Sequence, residues 1–253
     1  MRTRFSFVIL CVLCGSRSMS IAENITQIQE RIAAAAIRSG RSHQEITLMG
    51  VSKTFPAESI REAHAAGLRA FGENRVQEFA SKIAMLRDLP DAQWHLIGHV
   101  QTNKAAKAAE LFDAVDSVGS VRVAEKLNAS AAGARKILRV LIEINIGGET
   151  AKSGLPPDSD ELEQILLSAP RWENLKIQGL MTVPPYTEDP QGARLYFRQL
   201  RYLRDKIASR NLPQIGVEVL SMGMSHDFEV AIEEGATCVR VGTAIFGTRQ
   251  KPN

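Results

Sequence analysis

The sequence predicts an α/β protein, and specifically a single (β/α)8 barrel, also called a TIM barrel. Eight short apolar segments alternate with segments of helical periodicity, which is the pattern of a parallel sheet joined by crossover helices. The chain has 253 residues, and barrels of about 250 residues commonly form one domain. No internal repeat, long linker or low-complexity segment divides the sequence. We therefore expect residues 19–253 to form one barrel domain, preceded by an atypical extension at residues 1–18.

The predicted strands are short, mainly apolar runs that end in glycine, proline or polar turn residues. Strands of a parallel barrel are buried on both faces, so nearly continuous apolar runs are expected. In chain order the strands are expected at residues 46–51, 68–71, 93–97, 112–117, 137–144, 175–181, 217–220 and 237–241.

The segments between the strands carry apolar residues three or four positions apart, as helices do. The first helix is expected at residues 24–39 and can end at Gly40. The second is expected at residues 56–66, just before Gly67. The others are expected at residues 75–86, shortly after Lys104, and at 121–131, 160–167, 192–209 and up to residue 233.

Residues 1–18 have two interpretations. Arg2 and Arg4 precede the apolar residues 5–15, which are about as long as the core of a signal peptide and too short to span a bilayer. The segment is either a cleaved export signal or an extension upstream of a true start at Met19. The sequence after Met19 leads directly into the first helix, which favours the second interpretation, a cytoplasmic location and no membrane partner.

The composition is that of a soluble globular protein, with 44% hydrophobic and 23% charged residues and a net charge of +3. The basic residues are spread along the chain, so we expect no nucleic-acid partner. Cys11, Cys14 and Cys238 form no disulfide framework, which favours a reducing compartment.

Lys53 is the first candidate for chemistry because it follows the first predicted strand. Active sites of barrels lie at the carboxyl ends of the strands. A lysine held partly out of water there is a nucleophilic amine that can form a Schiff base with an aldehyde. The alternative is a solvated lysine that merely begins a loop.

The segments after strands seven and eight have the composition of phosphate-binding loops. Ser221 to Ser225 combine glycine with hydroxyl side chains, and Gly242 and Thr243 open a short helix. Barrel enzymes often bind phosphate at these two places through backbone N–H groups. Arg240 shares a strand face with Gly242 and could donate to a ring nitrogen in the barrel mouth; alternatively, it pairs with Glu234 outside the barrel.

Other polar residues at strand ends have weaker signals. Three residues follow or end strands: Asn74, Asn145 and Met181. Each either lines a site or only makes contacts within its own loop. His95 and His99 have no carboxylate or cysteine near them in sequence, which disfavours a metal site. Asp227, at the start of a helix, is expected either to cap it or to interact with the helix dipole.

Six motifs in order resemble the YggS/PROSC family of pyridoxal phosphate homeostasis proteins, over residues 20–247. They are Val51-Ser52-Lys53-Thr54, Gly72-Glu73-Asn74-Arg75-Val76-Gln77-Glu78, Trp94-His95-Leu96-Ile97-Gly98 with Gln101-Thr102-Asn103-Lys104, Gly179-Leu180-Met181-Thr182, Leu220-Ser221-Met222-Gly223-Met224-Ser225 and Arg240-Val241-Gly242-Thr243-Ala244-Ile245-Phe246-Gly247.

The resemblance implies a barrel like the N-terminal domain of alanine racemase, of PLP fold type III, without a second β domain. It implies pyridoxal 5′-phosphate (PLP) held as an internal aldimine on Lys53. It also implies that Asn74 lines the ring pocket and that Arg240 meets the pyridine nitrogen. The phosphate would be bound by Ser221, Gly242 and Thr243, with the backbone near Met224 and Ser225. Where this chain has Gly147, the family usually has serine.

The expected function is PLP homeostasis, with PLP bound on Lys53 and no turnover. An arginine at the pyridine nitrogen cannot accept the ring proton, so the ring is a weak electron sink. Tyr186, Tyr196 and Tyr202 have no evident route into the mouth to serve as the second acid of a racemase. PLP-dependent apo-enzymes are possible partners, and a monomer is expected. The alternatives are a PLP-dependent amino-acid racemase or lyase, and a cofactor-free aldolase acting on sugar phosphates.

Overall fold

A closed barrel of eight parallel strands, arranged in chain order, forms the core of the protein. The computed structural model describes residues 19–150 and 152–248. The expectations for residues 1–18, including those for Cys11 and Cys14, fall outside this part. The strands are β1 Thr47–Val51, β2 Ala70–Glu73, β3 Gln93–Leu96, β4 Ala114–Val118, β5 Leu138–Glu143, β6 Leu175–Met181, β7 Ile215–Met224 and β8 Cys238–Val241.

Helices follow the strands and surround the barrel, and the prediction of a single (β/α)8 barrel is confirmed. The α-helices of the described residues are α1 Ile21–Arg38, α2 Ala57–Ala65, α3 Val76–Lys82, α4 Ala105–Leu111, α5 Val121–Gly133, α6 Asp160–Ser168, α7 Arg194–Ala208, α8 Phe228–Glu233 and α9 Thr243–Phe246.

The alternation of side chains along β5 shows how the strands divide the molecule into two buried regions. Leu138, Val140 and Ile142 belong to the large apolar core between the sheet and the helices. The residues between them point to the other side of the sheet, into the barrel. Arg139 and Glu143 are therefore polar groups inside the barrel, where they can serve a site.

The first helix begins earlier than predicted because Ser20 caps it. The Ser20 hydroxyl accepts from the N–H of Glu23, and the Glu23 carboxylate accepts from the N–H of Ser20 at 2.7 Å. This reciprocal capping box stabilises the first turn. Ion pairs from Arg31 to Glu229 and from Arg38 to Glu233 connect α1 to α8.

Three strands differ from their predicted positions by two residues or more: β2, β4, which begins at Ala114 rather than at residue 112, and β7. β2 begins at Ala70 rather than at residue 68, because the N–H of Leu68 donates to the carbonyl of Ala63 at the end of α2, at 3.0 Å. β7 extends to Met224, so most of the segment predicted as a loop after strand seven is strand. Its register against β8 shifts between Ser221 and Met224, where Gly223 has a φ of +92° that favours glycine.

None of the helices in the described ranges combines the length and the apolar character that crossing a bilayer requires.

Candidate functional site

Lys53 lies in a tight turn directly after β1, at the carboxyl end of the barrel, and is half-buried. The N–H of Phe55 donates to the carbonyl of Ser52 at 3.1 Å and closes the turn. Thr54 has a φ of +68°, a left-handed value that is rare for a β-branched residue. Such a conformation persists only where surrounding contacts hold it in place.

Those contacts come from a buried network that the sequence did not predict. The Ser52 hydroxyl donates to Oε1 of Glu73 at 2.7 Å, and Nζ of Lys82 donates to the same oxygen at 3.1 Å and to the Ser52 carbonyl at 3.2 Å. Glu78 accepts from the N–H of Thr54 at 2.5 Å and pairs with Lys82 at 2.8 Å. The end of β2 and the helix α3 thus fix the turn that carries the candidate lysine.

The network also distinguishes two neighbouring lysines. Burial raises the pKa of Glu73, although Lys82 and Ser52 act in the opposite direction. Burial alone would also raise the pKa of Glu78, but hydrogen bonds from Lys82 and from the N–H of Thr54 lower it. Lys82 sits between these carboxylates with a side chain that is only 10% exposed. Lys82 therefore has a structural role, and Lys53 is the lysine that the network positions.

Arg240 lies inside the barrel, on β8. Its Nη1 donates to Oγ of Ser221 at 2.7 Å and its Nη2 donates to the carbonyl of Thr182 at 2.7 Å. Burial lowers the pKa of this guanidinium, while nearby acidic groups oppose the effect. The alternative pairing with Glu234 is wrong, because that carboxylate lies outside the barrel and pairs with Arg194 and other arginines of α7.

The ends of β7 and β8 contact each other at the predicted phosphate loops. The N–H of Gly242 donates to Oγ of Ser225 at 3.3 Å. The N–H of Met224 donates to Asp227 at 2.6 Å. Asp227 occupies the N-cap position of α8 but makes no side-chain hydrogen bond to this helix. Of the two expectations, the capping bond is absent, and the placement of the carboxylate at the positive end of the helix dipole remains. Thr243 is exposed at the start of α9.

The loop after β8 also passes beside the end of β1. A Cβ atom added to Gly242 would lie 3.4 Å from Cβ of Val51, two residues before Lys53. Asn74 follows β2 and is half-buried. The structure therefore brings the predicted site residues of β1, β2, β7 and β8 to the same end of the barrel.

Sequence reasoning missed Glu143, the last residue of β5. It is 6% exposed, and its Oε1 accepts from Oγ of Ser153 at 2.8 Å. Among the described residues, its Oε2 is the buried side-chain atom that lacks a hydrogen-bond partner. An acidic residue at the end of a mainly apolar strand was the available signal. Tyr186, exposed in the loop after β6, also lies at the carboxyl end, with its ring 5.4 Å from the ring of His226 in a tilted arrangement.

A cavity of about 1220 Å³ opens at the opposite, amino end of the barrel. None of the predicted site residues lines it, and several of its polar groups are paired with one another. Arg139 donates to Gln93, and Nδ1 of His95 lies 3.1 Å from Asp116. Burial raises the pKa of Cys238, in the same lining, to about 12. In the described part of the chain, no group of three or more acidic, histidine or cysteine side chains is arranged to hold a metal.

Comparison with known proteins identifies the family. A family model described as the N-terminal domain of alanine racemase matches residues 19–250. The chain is 45% identical over 233 residues to a pyridoxal phosphate homeostasis protein of Aquifex aeolicus, covering 92% of this chain and 100% of that protein. The chain belongs to the pyridoxal phosphate homeostasis protein family. A family member from Escherichia coli K12 is 43% identical over 236 residues, covering 90% of this chain and 97% of that protein.

Solved structures agree with this family assignment. PipY of Synechococcus elongatus, solved with PLP bound, is 37% identical to this chain. The two structures superpose with a TM-score of 0.79 over 90% of this chain and 100% of PipY. Alanine racemase of Clostridium difficile is similar over 90% of this chain and 58% of its own, with a TM-score of 0.69. At 14% identity, the racemase shows only that the barrel fold is shared.

Proposed function

We propose that this protein binds PLP as a Schiff base on Lys53 and serves PLP homeostasis by holding or handing over the cofactor. The observation that carries the proposal is the buried network of Ser52, Glu73, Glu78 and Lys82, which presents Lys53 at the carboxyl end of the barrel. The relatives named above carry the name of PLP homeostasis proteins, and PipY has been solved with PLP bound.

The donor groups at this end suit a phosphorylated aldehyde. The hydroxyls of Ser225 and Thr243 and the first N–H groups of α9 can donate to phosphate oxygens. Gly242 brings this region beside Val51 at the end of β1, so the phosphate donors and Lys53 can serve one small molecule. Asn74, Ser221 and Met224 complete the proposed set of cofactor-binding residues.

PLP supplies an aldehyde that condenses with an amine and a pyridine ring that withdraws electrons. Lys53 provides the amine. Arg240, held by Ser221 and Thr182, is positioned to donate to the pyridine nitrogen. Because a guanidinium cannot accept a proton there, it does not favour a protonated ring.

The weak electron sink supports binding without turnover. We propose that the protein is a cytoplasmic monomer whose partners are PLP and PLP-dependent apo-enzymes. The rival function, an amino-acid racemase or lyase, requires a second acid, and the exposed Tyr186 at the carboxyl end is the phenol to test for that role. Assays with D- and L-amino acids on the wild type and on Tyr186→Phe distinguish the two functions.

Absorption spectroscopy tests the proposed binding. Wild-type protein mixed with PLP should show the Schiff-base band, and Lys53→Ala should lack it because the proposed Schiff-base amine is removed. Lys126→Ala is the matched control, since Lys126 is an exposed lysine of α5, and it should keep the full band. A wild-type band that persists undiminished in Lys53→Ala would contradict the proposal.

A further inference from the structure

Glu143 is a buried acid that the chain leaves partly unsatisfied. It ends β5 and points into the barrel, by the alternation that places Val140 and Ile142 in the outer core. Its side chain is covered from outside, because Gly154, with a φ of +102°, lies so close that an added Cβ would be 3.1 Å from Cγ of Glu143. Buried polar atoms without partners are rare in native proteins, and each calls for an explanation.

The loop after β5 holds the carboxyl in place. The N–H of Leu155 donates to the carbonyl of Glu143 at 2.8 Å, and the N–H of Asn145 donates to the carbonyl of Leu155 at 2.9 Å. Ser153, in the same loop, donates its hydroxyl to Oε1. One carboxyl oxygen is thereby fixed by the protein, whereas Oε2 has no protein partner among the described residues. The second oxygen is buried and unpaired within the described part of the chain, so it can form a hydrogen bond with a further group, such as a ligand in the mouth of the barrel.

The charges around Glu143 are mixed. Burial raises the pKa of Glu143, while Ser153, His99 and Arg240 lower it. The neighbouring residues on β6 and β7, Met181 and Ser221, carry no charge. Other charged or titratable groups lie in the mouth or on the strands that face this side of the barrel. They are Lys53 after β1, His95 on β3, Asp116 on β4, Arg139 on β5, Glu149 and Lys152 in the loop after β5, His226 and Asp227 after β7, and Cys238 on β8.

We propose that Glu143 is a further residue of the cofactor site and that it takes up a proton from solvent when PLP binds beside it. This inference rests on the proposed function. The phosphate of PLP brings negative charge into the mouth, and a nearby negative charge disfavours the ionised form of a carboxyl. The protonated Glu143 can then donate a hydrogen bond through Oε2, which removes the unsatisfied atom.

Linkage gives the sign of the expected pH dependence. In the pH range between the pKa of Glu143 in the free protein and its higher pKa in the complex, binding is coupled to proton uptake. PLP affinity therefore falls as the pH rises through this range, by up to about tenfold per pH unit for one proton. Below the range Glu143 is protonated in both states, and above it the group is ionised in both.

Calorimetric titration with PLP, in buffers that differ in ionisation enthalpy, measures the protons taken up. We expect Glu143→Gln to bind PLP with fewer protons taken up than the wild type, because glutamine has the same shape and cannot titrate. Ser153→Ala should shift the uptake to higher pH, since the carboxylate loses a hydrogen bond that lowers its pKa. Glu110→Gln, which alters an exposed acid of α4, is the control and should behave as the wild type.

The outcomes separate this inference from the proposed function. If the wild type binds no PLP, the proposed function fails. If the wild type binds PLP and Glu143→Gln shows the same uptake at every pH, PLP binding stands and the role of Glu143 is refuted. Thermal unfolding of the PLP-free variants checks folding, and glutamine should not lower stability near neutral pH, because it avoids the ionisation of a buried acid.

Discussion

Arg240 shows how a single residue joins the fold to the site. It is 3% exposed and connects three strands, because it lies on β8 and donates to Ser221 on β7 and to the carbonyl of Thr182 after β6. Its planar guanidinium reaches both acceptors at once, which a single ammonium group cannot do in the same geometry. The same contacts hold it at the place proposed for the pyridine ring.

Arg240→Lys should therefore destabilise the protein, although the substitution keeps the positive charge. We expect the free energy of unfolding of the PLP-free protein to fall by about 1–3 kcal/mol, because at least one buried acceptor loses its donor. Urea denaturation measures this change. Arg38→Lys is the control, since Arg38 forms an exposed ion pair with Glu233, and it should change stability by less than about 1 kcal/mol. Equal effects of the two substitutions would contradict the role assigned to Arg240.

At the scale of elements, α3 and the end of β2 act together as the support of the turn after β1. Lys82 on α3 contacts Glu73 on β2, Glu78 one helical turn earlier and the carbonyl of Ser52 in the turn. Removing one partner of a buried ion pair leaves the other charge uncompensated, which is far more costly than losing an exposed pair.

Lys82→Met tests this support. We expect a loss of about 3–5 kcal/mol in the free energy of unfolding and slower formation of the Schiff base at Lys53, because the turn loses its anchor. Stopped-flow absorbance after addition of PLP measures the rate. Lys107→Met, which removes only an exposed pair with Glu110, is the control and should cost less than about 1 kcal/mol. An unchanged rate in a folded Lys82→Met protein would refute the positioning role.

The elements also show what can be predicted from sequence. The number and order of strands follow from hydrophobic periodicity, and the positions of Lys53 and Arg240 follow from the rule that barrel chemistry lies at strand ends. The extension of β7 does not follow from the sequence, because glycine among hydroxyl residues indicates a loop, whereas Gly223 lies within the strand. The contact of Glu73 with Lys82 depends on how a helix packs against a strand, which periodicity does not specify. The four-residue spacing of Glu78 and Lys82 was a signal that could have been used.

At the scale of the whole molecule, the barrel separates two polar ends. The amino end opens into a cavity whose lining includes paired side chains, such as His95 and Asp116. Met49, Ala70 and Cys238 form an apolar cluster inside the barrel. The carboxyl end gathers Lys53, the proposed phosphate donors and the partly unsatisfied Glu143. We therefore expect PLP to form a Schiff base with Lys53 and not with the other lysines of the chain.

Reduction of the PLP-loaded protein with borohydride, followed by digestion and mass spectrometry of every lysine-containing peptide, tests this requirement most directly. Reduction makes the Schiff base permanent, so the modified lysine can be identified. The account predicts the pyridoxyl group on Lys53, with Lys82 unmodified because the buried network holds it. A modification located on Lys82 or on another lysine, with Lys53 unmodified, would contradict the account.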